Sequence, residues 1–255
     1  MNEKISKILG TFLFLVLISG LLYLIFFRIK NTGKQEINMI EVTGNRLLSG
    51  SSYLKFTKLN DYSLFKDISL SVIKSRFERH PYIEKADVEY LSGHIARVVV
   101  TEKKIEAVLI YKEEPNFLTD EYELLPVLQN TKLTDLPVII NPEMDQPFKL
   151  YSKIKNADID QAFKIIVAAK LASKKIARRL SEINLRGGGE IVLSFSGIKP
   201  LVLFGRGETA EKMVYLDAVL DGFTDGNSLA ENSDYIDLRF PNEIYIGSAD
   251  KTGLN

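Results

Sequence analysis

Apolar residues recur along this chain with three different spacings, and each predicts a different kind of element. From Ile8 to Phe27 the run ILGTFLFLVLISGLLYLIFF is apolar on every face and carries no charge. At about 1.5 Å rise per residue it predicts a helix of roughly 30 Å, the thickness of a hydrocarbon core, crossing a membrane once. A buried core helix shows a shorter apolar run with a polar face. A cleaved leader needs small residues at its exit, whereas this run leaves through Leu24, Ile25, Phe26, Phe27, Arg28, Ile29 and Lys30. The expectation is a retained anchor over 8–27 with lipid around it, behind a short tail, residues 1–7. Lys4 and Lys7 on one side, against Arg28, Lys30 and Lys34 on the other, leave its orientation undecided by charge.

Residues 28–36, RIKNTGKQE, read as a polar linker. Ile37 to Thr43 reads as a strand stopped by Gly44-Asn45. Ser51 or Ser52 is placed to cap a short helix through Tyr53, Leu54 and Phe56, and the chain packs down around Leu64, Phe65 and Ile68. Leu70, Ile73 and Phe77 then form one face of a second helix, closed before Pro81. From Glu84 the spacing falls to two. Ala86, Val88 and Tyr90 alternate with charges, Ser92-Gly93 turns the chain, and Ala96, Val98 and Val100 line one face of Ile95–Glu102. The predicted order over residues 37–105 is β-α-α-β-β.

Residues 106–247 predict a mixed, mainly antiparallel β domain with helices, followed by a tail, 248–255. Strands are expected at Ala107–Tyr111, Phe117-Leu118, Leu124-Leu125 and Pro137–Ile140, among prolines that limit their ladders. A helix follows in which Ile159, Phe163, Ile166, Val167 and Lys170 share a face, with Asp158 and Asp160 near its N-terminus. Ile183–Leu185, Ile191–Phe195 and Pro200–Phe204 read as a meander, joined by Gly187-Gly188-Gly189 and Ser196-Gly197. Thr209 is placed to cap a helix with Met213, Leu216, Leu220 and Phe223 inward, and a polar run, Asp225–Ser228, leads to the final strand. There Ile236, Leu238 and Phe240 alternate with Asp237 and Arg239, Pro241-Asn242 interrupts, and Ile244 and Ile246 alternate with Glu243 and Tyr245. Proline confines this strand to an edge. Such an edge either offers its backbone to another chain or is guarded by Glu243 and the proline.

Composition narrows the chemistry. With 33 Lys plus Arg against 33 Asp plus Glu there is no net field for nucleic acid. The absence of Cys removes disulfides and thiolate chemistry. His80 and His94 sit at a helix end and a hairpin without carboxylates at metal-ligand spacing. Gly205-Arg206-Gly207 lacks the Lys-Ser/Thr of a phosphate loop, and no nucleophile signature appears. The expectation is a non-enzymatic protein with no cofactor, metal or small-molecule substrate.

The β-α-α-β-β order resembles a POTRA domain. Further motifs are similar to those of the FtsQ/DivIB family of bacterial cell-division proteins. They are Val42-Thr43-Gly44-Asn45, His80-Pro81, Val98-Val99-Val100-Thr101-Glu102-Lys103, the run from Leu203-Phe204-Gly205-Arg206-Gly207 to Lys212, and Tyr235-Ile236-Asp237-Leu238-Arg239-Phe240. Two positions depart from the family's pattern. Ile105 replaces a proline, and a glycine is missing after Phe117-Leu118-Thr119-Asp120. The resemblance implies a divisome scaffold in the bacterial cytoplasmic (inner) membrane at the septum, single-pass with its N-terminus inside and its domains outside. It implies FtsB-like and FtsL-like membrane-anchored coiled-coil partners, bound at Arg206, Arg239, Phe240, Asn242, Glu243, Ile244 and Tyr245. Rival readings are a POTRA-type polypeptide-handling module in outer-membrane assembly or secretion, and an anchored wall hydrolase.

Overall fold

A computed structural model describes residues 3–30, 36–91, 94–132, 135–223 and 233–248, with side chains in the N-terminal helix from residue 10 to residue 25. That helix, α1, spans Glu3–Lys30. Its described side chains are exposed throughout. Among the described residues no helix is long and apolar enough to cross a membrane. The expected single span over 8–27 is corrected accordingly, and with it the single-pass inner-membrane location and the surrounding lipid.

The chain forms two compact units, one of residues 1–45 and 49–101 and a second of residues 46–48 and 102–255. In the first, β1 (Met39–Thr43) precedes α2 (Gly50–Phe56) and α3 (Leu70–Glu78), followed by β2 (Ile83–Leu91) and β3 (Ile95–Glu102). The sheet order is β1-β3-β2, with β1 parallel to β3 from Met39↔Ile95 to Thr43↔Val99. Ile40, Ala86, Ala96, Val98 and Val100 turn inward toward Tyr53, Ile73 and Phe77, all buried. The cap of α2 is Ser49, not Ser51 or Ser52: its hydroxyl accepts the Ser52 N–H at 3.1 Å, three residues on. The Ser92-Gly93 turn lies outside the described residues.

The second unit is α+β around a ten-stranded mixed sheet of order β13-β12-β11-β10-β9-β7-β4-β5-β6-β8. Its strands are β4 (Ile105–Tyr111), β5 (Glu114–Thr119), β6 (Glu123–Pro126), β7 (Val138–Ile140), β8 (Ser152–Lys153), β9 (Leu180–Asn184), β10 (Val192–Phe195), β11 (Leu201–Leu203), β12 (Tyr235–Asp237) and β13 (Tyr245–Gly247). The pairs β4–β7, β7–β9 and β11–β12 are parallel, which requires crossovers. Helices α4 (Ala157–Ala172) and α5 (Lys174–Arg179) make the first long one, and α6 (Thr209–Val219) lies in the last.

Ile159, Phe163 and Ile166 of α4 and Met213 and Leu216 of α6 join Leu109, Leu118, Ile139, Ile183, Leu193 and Val202 of the strands in one core. Asn156 caps α4, accepting the Ile159 N–H at 3.0 Å. Thr209 does not cap α6. The residue before the helix is Glu208, and the Thr209 hydroxyl accepts from Gln161 at 2.8 Å instead. Gln161–Thr209 at one end and Ser173–Asp217 at the other, 2.6 Å, show that α4 and α6 run in the same direction. In the turn after Asp120, Tyr122 takes the left-handed conformation at φ 65°. Its ring stacks on Phe163, centroids 4.3 Å apart. The polar run Asp225–Ser228 lies outside the described residues.

Candidate functional site

One edge of the ten-stranded sheet is β13, which among the described residues pairs on one side only, antiparallel to β12. The sequence suggested one interrupted strand from Ile236 to Ile246; the chain instead folds back on itself. Pro241 has no N–H to give, and Asn242 takes the left-handed conformation at φ 59°, so the chain reverses and Ile236 comes opposite Ile246. β12 is thereby an interior strand, parallel to β11 on its other side, and the edge consists of Tyr245–Gly247.

The predicted residues divide into outward and inward sets. Phe240 and Tyr245 are each half exposed and meet edge to face at 5.2 Å, and Ile246 is 44% exposed. The Tyr245 hydroxyl donates to Glu243, which holds the phenol above its ordinary pKa. Ile244 is half-buried against the core, so it fastens the hairpin rather than facing a partner. Asn242 forms the turn.

Both arginines are engaged within the fold. Arg239 bends back onto the buried Asp237, donating Nε at 2.9 Å and Nη2 at 2.6 Å, while its backbone N–H reaches the same carboxylate at 3.0 Å. The Arg239 side chain holds the Asp237 carboxyl below its usual value, against the opposing effect of burial. Arg206 donates Nε to the Gly189 carbonyl at 2.9 Å and Nη2 to the buried Asp158 at 2.8 Å. Asp158 in turn accepts the Glu143 N–H at 2.7 Å.

Lys212, only 6% exposed, donates Nζ to the carbonyls of Phe204 and Arg206 at 3.1 and 3.2 Å, fastening the loop that carries Arg206. At φ 65° Gly205 gives that loop its turn. A Cβ there would meet the Arg239 side chain at 2.9 Å, so the two arginines lie on adjoining backbone. Their side chains remain 35% and 40% exposed, and each guanidinium keeps unused donors.

Asp158, Lys212 and Asp237 are the contributors that sequence reasoning missed. Asp237 and Arg239, opposite charges two apart on a strand, share a face and were the readable signal. Lys212 is a cation among apolar helix positions and gave none. The glycine run ends in a short 3-10 turn, Arg186–Gly188, between strands. His94 Nδ1 lies 3.0 Å from the Glu36 carbonyl. Among the described residues no group of three or more His, Cys, Asp or Glu is placed to hold a metal ion.

These features define a two-unit α+β protein whose larger sheet ends, among the described residues, in a strand paired on one side, with aromatic side chains and two arginines nearby. No family model and no curated protein matches the chain.

Proposed function

We propose that the chain is a non-enzymatic scaffold of FtsQ/DivIB type in the bacterial division machinery. It binds a small coiled-coil partner of the FtsB or FtsL type by adding an extended segment of that partner to β13. The observation that carries this reading is that β13 pairs on one side only among the described residues, with its own Tyr245 and Ile246 and the neighbouring Phe240 exposed. Strand addition draws affinity from backbone hydrogen bonds and specificity from alternate side chains. Arg206 and Arg239, already paired with Asp158 and Asp237, contribute orientation of acidic groups through their unused donors rather than two full charges.

The test is binding of a purified FtsB-like ectodomain to the full chain and two variants. Phe240→Ala removes an exposed aromatic anchor and is expected to cost more than about 1 kcal/mol of affinity. Ile246→Lys, on an exposed strand position, is expected to weaken binding similarly while the circular dichroism spectrum is retained. Arg239→Glu is a poorer probe, because it sets a second carboxylate against the buried Asp237. Unchanged affinity in both folded variants would place the partner surface elsewhere.

A further inference from the structure

The row of side chains along β13 has a gap, and β12 fills it. Ile236 of β12 lies in the core with Met213 and Leu216 of α6, so its neighbour Tyr235 belongs to the other face of the sheet, away from that helix. Tyr235 is paired with Gly247, and antiparallel partners share a face. Gly247 brings no side chain to it. The Tyr235 ring takes that space instead: a Cβ on Gly247 would lie 2.4 Å from the Tyr235 hydroxyl oxygen and 2.5 Å from the ring carbon that bears it. Gly247 is not among the residues with positive φ, so its backbone would accept a side chain. The ring is what requires a glycine there. Half-buried Tyr235 thus rests its tip on β13, one strand beyond its own.

The backbone determines what comes opposite. The Gly247 carbonyl accepts the Asp234 N–H at 2.9 Å and so points toward β12. Successive residues of a strand direct their backbone groups to opposite sides, which leaves the N–H and C=O of Ile246 pointing to the unpaired side. A strand added there pairs with Ile246, and the next residue of that strand lies opposite Gly247, where opposed Cβ atoms would be about 4.5–5.5 Å apart. At this position the added side chain meets the ring of Tyr235. The same face continues to Tyr245, two residues before Gly247, whose half-exposed ring lies edge to face with Phe240. A flat apolar side chain fits against a tyrosine ring with more aromatic surface beside it, and ring pairs across strands stabilise beyond the area they bury.

We propose that Tyr235 is a specificity-determining contact for the added strand, its ring receiving an aromatic side chain of the partner at the position opposite Gly247. This contact rests on strand addition at β13 and extends it to a residue of β12 and to the chemistry of one partner position.

The full chain and its variants are titrated with a purified FtsB-like ectodomain, while hydrogen exchange of Tyr245–Gly247 reports strand addition separately. Tyr235→Ala is expected to weaken binding about tenfold, and Tyr235→Phe, which keeps the ring, by no more than about twofold. Gly247→Ala should weaken it at least about fivefold, because the new methyl group displaces the ring, and should add little loss in the Tyr235→Ala background, where no ring remains to displace. Gly247→Ala adds one methyl group at the sheet edge, so it tests the contact without removing the ring from the fold. Replacing the aromatic residues of the ectodomain's extended segment one at a time with Leu should find one whose effect vanishes in the Tyr235→Ala background. A purely structural role for Tyr235 would lower stability to denaturant and leave affinity intact. Protection of Tyr245–Gly247 by the ectodomain with unchanged affinity in Tyr235→Ala and Gly247→Ala would overturn this contact and leave strand addition standing. No protection in the unaltered chain would overturn both.

Discussion

Replacing Gly44 with Ala is expected to remove most of the stability of the unit containing β1 to β3. Gly44 follows β1 at φ +83°, where an L side chain costs about 1–2 kcal/mol. The added Cβ would also lie 2.4 Å from the carbonyl oxygen of Val100. That oxygen belongs to β3, the central strand of the sheet, held between β1 and β2, so it has little room to retreat. The combined loss is expected to be about 3–5 kcal/mol, a large share of an ordinary domain's stability. Gly187→Ala, with the same sign of φ but nothing within 4 Å, should cost only about 1 kcal/mol. Denaturant unfolding of the full chain, followed by hydrogen exchange within Met39–Thr43, measures the first. A loss below about 1 kcal/mol would show that the turn relaxes around the new methyl group.

Mild acid is expected to destabilise the same unit through His80. The ring is 1% exposed, packed among Tyr53, Phe56 and Tyr82 with centroids 4.6, 4.3 and 5.3 Å away, none charged at neutral pH. Nδ1 accepts the Tyr82 N–H at 3.1 Å, and Nε2 has no partner. A second proton would have to sit on Nδ1, facing an amide donor. Burial lowers the pKa from 6.5 to about 4. Between those values the unfolded chain binds a proton that the folded chain does not. Stability is therefore complete above pH 6.5 and falls as the pH drops toward 4, by on the order of 3 kcal/mol in all. The window from pH 6.5 to 5 isolates the effect, because carboxylates remain ionised there, and about 2 kcal/mol should be lost within it. A His80→Leu variant should lose that slope. An equal slope in the variant would assign the acid sensitivity to another group.

The elements were legible where one period governed them. Ile95–Glu102 alternates cleanly and is a strand over that range, and Ile73 and Phe77 share the buried face of α3. Met213, Leu216, Leu220 and Phe223 are buried together as their spacing implied. Caps were harder to place. Ser49, Ser51 and Ser52 are chemically equivalent in sequence, and only the backbone direction at Ser49 selects it. Val167, expected inward from its spacing, is 51% exposed, because a helix packed on a sheet buries a narrower stripe than the apolar residues available to fill it.

The end of the chain shows the same limit. Proline marked an edge, but its pairing with Asn242 in a reversing turn moved that edge from Phe240 to Tyr245–Gly247. The arginines were visible as exposed cations; their carboxylate partners lie 48 residues away for Arg206 and two for Arg239. Distant pairs leave no periodic trace. The apolar N-terminal run was legible as a helix, and α1 is one, but among the described residues no helix is long and apolar enough to cross a membrane.

Strand addition at β13 is tested most directly by hydrogen exchange of the full chain with and without a saturating FtsB-like ectodomain. The account predicts that amides within Tyr245–Gly247 exchange more slowly in the complex, because an added strand pairs the backbone groups on the open side of the edge. It predicts no change at β8, the opposite edge of the same sheet. Protection confined to β8 or to the unit containing β1 to β3, with Tyr245–Gly247 unchanged, would contradict it.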